Sequence, residues 1–380
     1  MNGRLFLIMF LPANAFLLRA QVIEAPYEVC TWASCAEAAI TFTFDDATSN
    51  QYSIVIPMFN EYDFDATFYP VVNWSPDWNQ FQKAADQGHE VGSHTMNHPH
   101  LDQLTAEEQE AELKDSRSEI NSRISGQKCL TIAYSYCVPS IDTLTSKYYI
   151  AARHCQGYTE KATPEDFLNI SSIICGSQGS IKTTKDFVDI SQSAVTTHGW
   201  NVYLLHGIDD DGGYSALSSD TLRAALEYYD KYRDTYWVAN FVNVVRYIRE
   251  RNAVSVRVLS SNEDTLKINI YDTLDNGIYH IPVSVRTPLP AEWDYAQAFQ
   301  DGDSVGTLVK EFDNQKYLVF DVVPDAGLVE ITSAEVPFFA DLAHDLKHRE
   351  KLLHRSTHPY RKEISSLENT NSAEMADEEF

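Results

Sequence analysis

The sequence predicts an α/β protein, a parallel (β/α) barrel followed by a small antiparallel β-sandwich. Three observations carry that prediction. From residue 37 to about 252, short apolar runs rich in β-branched and aromatic residues alternate with helix-like segments. That is the pattern of strands buried on both faces by crossover helices. Acidic and histidine residues recur directly after the strand-like runs, where barrels carry their chemistry. After Asn252 the period changes to alternation, as in Val254, Val256 and Val258, the mark of a half-buried antiparallel sheet.

The first 20 residues read as a secretory leader. Arg4 is its positive end, residues 5–11 are almost wholly apolar, and Ala13-Asn14-Ala15 has the small residues of a cleavage site, with Ala20-Gln21 as a rival. The apolar run is too short to span a bilayer, and Arg19 lies close behind it, so no stable membrane span is expected. The mature chain is then expected in a secreted, periplasmic or extracellular setting. The six cysteines, Cys30, Cys35, Cys129, Cys137, Cys155 and Cys175, suit such an oxidising place. They allow about fifteen full pairings, and sequence does not choose among them. Two sequons, Asn73-Trp74-Ser75 and Asn169-Ile170-Ser171, are present. A formal net charge of −26 argues against a nucleic-acid or anionic-membrane partner, because binding phosphate needs clustered Lys and Arg.

The barrel region, 37–252, opens with residues 40–46, Ile-Thr-Phe-Thr-Phe-Asp-Asp, a buried strand that ends in two carboxylates. Residues 66–72 and 90–94 read as the next strands. Between them, Ser75-Pro76 reads as a helix N-cap followed by Pro at the first helical position. Trp78, Phe81 and Ala85 would form the apolar face of that helix, and Gly88 its stop. Thr105-Ala106-Glu107-Glu108 is a capping box that opens a charged helix with Leu113, Ile120 and Ile124 inward. Residues 130–136 read as strand, 147–153 as helix, and 201–206 as a strand ending in His206. A helix from Ser219, a strand at 237–239 and a helix through Val244 and Ile248 complete the unit. In the sandwich region, 253–334, further alternating runs centre on Ile268, Val283 and Phe320. Residues 335–380 read as a charged, partly helical or disordered tail. His344 and His348 share a helix face there, without the further ligands of a site.

The chemistry-bearing residues are few. Asp45 and Asp46 are adjacent at a strand end, so they repel each other unless a cation joins them. Forty-eight residues after Asp46, His94-Thr95-Met96-Asn97-His98-Pro99 offers two imidazoles four apart, which on a helical turn would share a metal. One carboxylate and two imidazoles form a three-ligand site with a position left open. A second carboxylate can take a proton and a third histidine, His206, can give one. This is a set of parts for metal-assisted hydrolysis of an acyl bond.

Thr43-Phe44-Asp45-Asp46, His94-Thr95-Met96-Asn97-His98-Pro99 and Leu204-Leu205-His206-Gly207, in that order, resemble the motifs of the polysaccharide deacetylase family (NodB homology, carbohydrate esterase family four). The similarity spans roughly 37–250. The part from 237 onward resembles a bacterial subgroup with a C-terminal β domain. The resemblance implies a deformed (β/α) barrel and a divalent metal, usually zinc, held by Asp46, His94 and His98. It implies Asp45 as general base and His206 as general acid. The substrate would be an acetylated polysaccharide or oligosaccharide, with acetyl removed from N-acetylated sugars of the chitin or peptidoglycan type. Rival readings are an O-acetyl esterase on a xylan-like polymer and a secreted, inactive carbohydrate-binding protein.

Two departures stand out. Where the family has Arg-x-Pro-aromatic, this chain has Ala133-Tyr134-Ser135-Tyr136, followed by Cys137. Arg153, from the helix expected there, is the candidate for the missing cation. The family's fourth motif, an Asp-x-x-Asp-Trp-like segment, is not found between Cys155 and Trp200. His89 and His100 flank the ligand motif as neighbours rather than ligands. Asp209-Asp210-Asp211-Gly212-Gly213 lacks the ligand spacing of a calcium loop. Ser135 lacks a nucleophile elbow. Tyr134, Tyr136, Trp200 and Tyr214 are candidates both for stacking on sugars and for the core.

Overall fold

The computed structural model describes residues 27–261, 265–312 and 314–334. The leader expected over 1–20 and the tail with His344 and His348 lie outside them.

In chain order, β1 (Glu28–Val29) precedes β2 (Ala38–Asp45), α1 (Ile56–Glu61), β3 (Thr67–Tyr69), α2 (Trp78–Asp86), β4 (Glu90–Val91), α3 (Ala106–Arg123) and β5 (Thr131–Ala133). Then come α4 (Asp142–Thr145), β6 (Ala151–Arg153), β7 (Ile173–Ile174), α5 (Thr184–Thr197), β8 (Trp200–Leu205), α6 (Ser219–Lys231), β9 (Tyr236–Val238) and α7 (Phe241–Ala253). β2 is buried at every position, which explains why its sequence does not alternate. Its two threonines are accepted in the core because Thr41 Oγ1 donates to Ala239 O at 2.9 Å and Thr43 Oγ1 to Tyr203 O at 2.8 Å.

The strands pair in parallel around a ring. β8 and β3 flank β2, β4 follows β3, β6 pairs with β5, and β7 pairs with β8. Single parallel bridges, Ser93 to Ile132 and Arg153 to Ile170, close the two remaining gaps. β9 wedges beside the N-terminal half of β2. The result is a barrel that is continuous on one side and barely stitched on the other, a deformed (β/α) barrel. Its strands run the same way, so their C-terminal ends share one mouth.

Two sequence expectations are corrected here. Residues 147–153 are not a helix: α4 ends at Thr145, and Ala151, Ala152 and Arg153 form β6, in register with Thr131, Ile132 and Ala133. Alanine is the strongest helix former, but intrinsic propensity is small beside tertiary context, and closure of the barrel outweighs it. Ser75 is not a helix cap. It sits at φ 56°, outside the extended region an N-cap needs, and Asp77 caps α2 by accepting from Asn79 N and Gln80 N. The Thr105–Glu108 capping box is present as expected.

Beyond α7 lie β10 (Ser255–Ser261), β11 (Thr265–Tyr271), β12 (Val283–Pro288), β13 (Tyr295–Gln300), β14 (Asp303–Ser304), β15 (Thr307–Phe312), β16 (Gln315–Val322) and β17 (Leu328–Ala334). They form two antiparallel sheets, ordered β1-β12-β16-β15 and β10-β11-β17-β13-β14. Ile268, Val283, Phe320 and Ile331 meet between them. The same cluster takes in Trp32, Trp200, Phe241 and Tyr247 from the barrel side. Barrel and sandwich therefore share one core, with α7 between. The Tyr247 hydroxyl donates to Cys30 O at 3.0 Å and ties the chain before the barrel to α7.

One buried acid fastens α7 to the barrel. Glu90 Oε2 accepts from Thr67 Oγ1 at 2.9 Å and from Val242 N at 2.8 Å, and Oε1 accepts from Thr131 Oγ1. Replacing Glu90 by Ala leaves three donors without their partner and should destabilise the chain by about 3 kcal/mol. Glu90→Gln, which keeps one accepting oxygen, should lose less. Urea titration of both variants checks this, and an Ala variant as stable as the parent would refute it.

Candidate active site

The mouth is built from turns that break the strand pattern. Successive strand residues point to opposite faces, yet Asp45 and Asp46 both line one cavity of about 430 Å³. Asp46 and Ala47 achieve this by adopting φ 70° and 57°. Left-handed backbone at non-glycine residues is costly and gathers at functional sites. Here it turns the second carboxylate back beside the first. Gln51 fixes the turn from below: its Nε2 donates to Asp45 O at 2.6 Å and His206 O at 3.2 Å, binding the ends of β2 and β8 together.

The segment 94–98 is a loop and not the helical turn that the four-residue spacing suggested. Thr95 and His98 stand at φ 69° and 58°. Thr95 Oγ1 accepts from His98 N at 2.9 Å, and Glu112 of α3 accepts from Met96 N at 2.9 Å, Asn97 N at 3.0 Å and Asn97 Nδ2 at 2.5 Å. In the sequence Glu112 is hidden among the many acids of α3. His94 Nδ1 lies 2.8 Å from Ala133 O. A carbonyl only accepts, so Nδ1 carries the proton and Nε2 presents its lone pair. That Nε2 is 3.7 Å from Asp46 Oδ1, and His98 Nε2 is 3.9 Å from the same oxygen. One ligand atom from each of Asp46, His94 and His98 lies within 4.8 Å of the others. Asp46 Oδ1 is buried with no hydrogen-bond partner among the described residues. A carboxylate oxygen left unpaired between two imidazoles fits a divalent cation.

Arg153 reaches the site from β6. Its Nη2 donates to Asp45 Oδ2 at 2.6 Å and its Nη1 to Thr43 Oγ1 at 3.1 Å, and its guanidinium carbon lies 5.5 Å from the Tyr69 ring centre. Arg153 is the register partner of Ala133, the residue standing where the resembled family has its arginine. The cation arrives at the same level of the barrel, one strand over. His206, just past β8, puts Nε2 3.8 Å from Asp45 Oδ2.

These neighbours divide the two acids. Burial pushes the Asp45 carboxyl up, but the Arg153 guanidinium and the imidazoles of His94 and His206 outweigh it and hold Asp45 below the usual range. Asp46 lacks that contact. Burial and the Asp45 charge push it up to about 7. Burial also lowers His94 to about 4 and draws His98 and His206 down, so the imidazoles favour the neutral form that can bind a metal.

The remaining candidates separate by burial. His89 is a core residue whose Nδ1 accepts from Ala66 N at 3.0 Å. His100 stacks on Tyr136 with ring centres 4.0 Å apart. Trp200 belongs to the core; Tyr134 is buried yet lines the cavity, as do Tyr136 and Tyr214, which are 55% and 53% exposed. Trp74, 53% exposed, stands with its ring centre 5.0 Å from that of His98; its place in the sequence gives no sign of this. Asp211 accepts from Ile208 N and Gly213 N, and Asp209 from Ser219 N, so both serve as turn caps. Ser135 Oγ lies 3.1 Å from Thr95 Oγ1. Cys137 and Cys155 form a disulfide beside the cavity, as do Cys30 and Cys35 at the far end, whereas Cys129 and Cys175 are free and buried.

Residues 34–151 match the family model for polysaccharide deacetylases. That stretch is similar to a polysaccharide deacetylase domain. The matched stretch holds Asp45, Asp46, His94 and His98 and ends two residues before Arg153. A gellan lyase from a Bacillus species is 27% identical over 326 residues, 80% of this chain. The chain spans only 13% of that protein's length. Among solved structures, a Mycobacterium smegmatis protein assigned to the polysaccharide deacetylases aligns with TM-score 0.46 at 15% identity, over 63% of this chain and 99% of that one. The peptidoglycan deacetylase PdaC from Bacillus subtilis aligns with TM-score 0.40 at 19% identity, over 57% and 94%.

In the barrel, Arg153→Met strands a buried carboxylate at Asp45 and should cost about 3–5 kcal/mol of stability. Adding Asp45→Asn to that variant should recover much of the loss. Thermal melts of the single and double variants test the pair, and equal melting of the two would count against it.

Proposed function

We propose that this chain is a secreted, metal-dependent hydrolase that removes acetyl groups from N-acetylglucosamine-containing polysaccharide. The observation that carries the reading is the Asp46–His94–His98 cluster standing beside an Asp45 kept ionised by Arg153. Asp46 and the two imidazoles would hold the metal, and their mixed nitrogen and oxygen donors suit Zn2+. When bound, such a cation supplies Lewis acidity toward water and an acyl carbonyl.

The chain's own residues do the rest. Asp45, with Oδ1 buried and free of hydrogen bonds among the described residues, receives the proton of the attacking water as general base. Arg153 orients that carboxylate through Oδ2. The backbone N–H of Tyr136, in the turn lining the cavity, is the candidate donor to the developing oxyanion. His206 protonates the departing sugar nitrogen or oxygen. The catalytic unit comprises residues 37–252, and 253–334 is a sandwich that packs on its base. Two disulfides support an oxidising destination. Among the described residues no helix is long and apolar enough to cross a membrane.

The test is acetate release from N-acetylglucosamine oligomers, peptidoglycan and acetylated xylan, with added zinc and with chelator. Chelator-sensitive release from the first two is expected, and release from xylan alone would make the chain an O-acetyl esterase. Asp45→Asn should lower kcat by at least about a hundredfold while leaving bound zinc, measured by elemental analysis, unchanged. A chain that binds no zinc and releases no acetate would be a binding protein.

A further inference from the structure

The disulfide between Cys137 and Cys155 stands where the barrel has few other ties. Arg153 is the last residue of β6, a strand of three residues that pairs only with β5. One bridge at each side, Ser93 to Ile132 and Arg153 to Ile170, joins this two-stranded piece to the rest. β2, which carries Asp45, is by contrast paired along both edges. A long side chain holds a fixed position only as well as the backbone beneath it. The contact of Arg153 with Asp45 therefore needs β6 to be held, at a place where strand pairing is thin.

The turn after β5 has the same need. Tyr136 and Cys137 stand at φ 54° and 57°, a conformation that is costly away from glycine. Ser135 occupies the place of the proline in the resembled motif, so the restraint that a fixed φ gives is lost. Ser135 Oγ lies 3.1 Å from Thr95 Oγ1, which accepts from His98 N, so this turn also touches the histidine loop. The disulfide ties the two pieces together. Cys137 ends the turn and lines the cavity, and Cys155 lies two residues beyond Arg153. Past the bond from Tyr134 N to Arg153 O, at 3.2 Å, the covalent link takes over from the ladder: Cys155 N donates to the ring of His154 at 2.8 Å and not to a strand.

We propose that the Cys137–Cys155 disulfide is a positioning element of the active site: it holds Arg153 on Asp45 and Tyr136 at the cavity wall, in place of the restraint lost with the proline. The inference rests on the deacetylase reading above and deepens it. A disulfide that only stabilises the barrel acts by restricting the unfolded chain, and its removal would add to the effect of changing Arg153. A disulfide that positions Arg153 is coupled to it, because an arginine already displaced has less to lose.

The test combines Cys137→Ser and Cys155→Ser, as a pair, with Arg153→Lys, which keeps the charge but not the fork that reaches Asp45 and Thr43 together. The fall in melting temperature caused by Arg153→Lys should shrink to about half or less in the serine pair. It should hold in a Cys30→Ser, Cys35→Ser chain, whose change lies at the far end of the barrel. Equal falls in the parent and in the Cys137, Cys155 serine pair overturn the proposal. Should that pair fail to fold, the Cys30→Ser, Cys35→Ser chain keeps Cys137–Cys155 as its one disulfide, and melts with and without a phosphine reductant give the same comparison. On the N-acetylglucosamine hexamer, the serine pair should lower kcat about tenfold with KM held within about twofold. Arg153→Lys should then lower kcat little further, although it is costly in the parent. Effects on kcat that multiply in full overturn the proposal. If the parent releases no acetate, the deacetylase reading fails, and the melting comparison alone decides whether the disulfide positions Arg153.

Discussion

The mouth of the barrel depends on the buried pair between Asp45 and Arg153. Two ions taken out of water are costly unless each finds its partners. Arg153 has the carboxylate, the Thr43 hydroxyl and the face of Tyr69. That arrangement keeps Asp45 charged although it is buried. Asp46, one residue on, feels the same burial and the added repulsion of Asp45, and is driven the other way. Two chemically identical side chains thus acquire different proton affinities: the Arg153 guanidinium draws both down, but only Asp45 is in direct contact with it, and burial and the Asp45 charge prevail at Asp46. The strained turn at Asp46 and Ala47 and the Gln51 amide beneath it hold the two acids in that unequal relation.

The legible part of the site was the part coded locally. A strand run that ends in two acids, a His-x-x-x-His segment and a strand that ends in His206 can each be read from neighbours in sequence. What escaped was coded at long range. Nothing in residues 147–153 announces a strand, because β6 exists only where β5 is present to pair with it. Sequence could name Arg153 as the missing cation but not how it gets there. Glu112 looks like any acid on a charged helix until its contacts with Met96 and Asn97 are seen. The histidine spacing suggested a helical turn, whereas hydrogen bonds accepted by Thr95 and Glu112 stabilise a loop with left-handed residues. Likewise, sequence left the cysteine pairings open, and of Cys129, Cys137, Cys155 and Cys175 only Cys137 and Cys155 meet.

The sandwich is less an appendage than the floor of the barrel. Alternation in Leu266, Ile268 and Ile270 or in Leu318, Phe320 and Val322 marked its strands, yet the sequence offered no sign that α7 would be shared. Phe241, Val244 and Ile248 of α7 belong to the same apolar cluster as Trp200 of β8 and Val283 and Phe320 of the two-sheet unit. The rigidity of the mouth therefore draws on packing at the opposite end of the strands.

The two-residue strand β1 pairs with β12, and Glu28 meets Arg286 from 258 positions away. A contact of such separation carries a large loop-closure cost. The segment that leads into the barrel can bind His198, Thr235 and Tyr247 earlier, but its strand pairing is complete only once β12 has been synthesised. The order of synthesis thus opposes early completion of the fold.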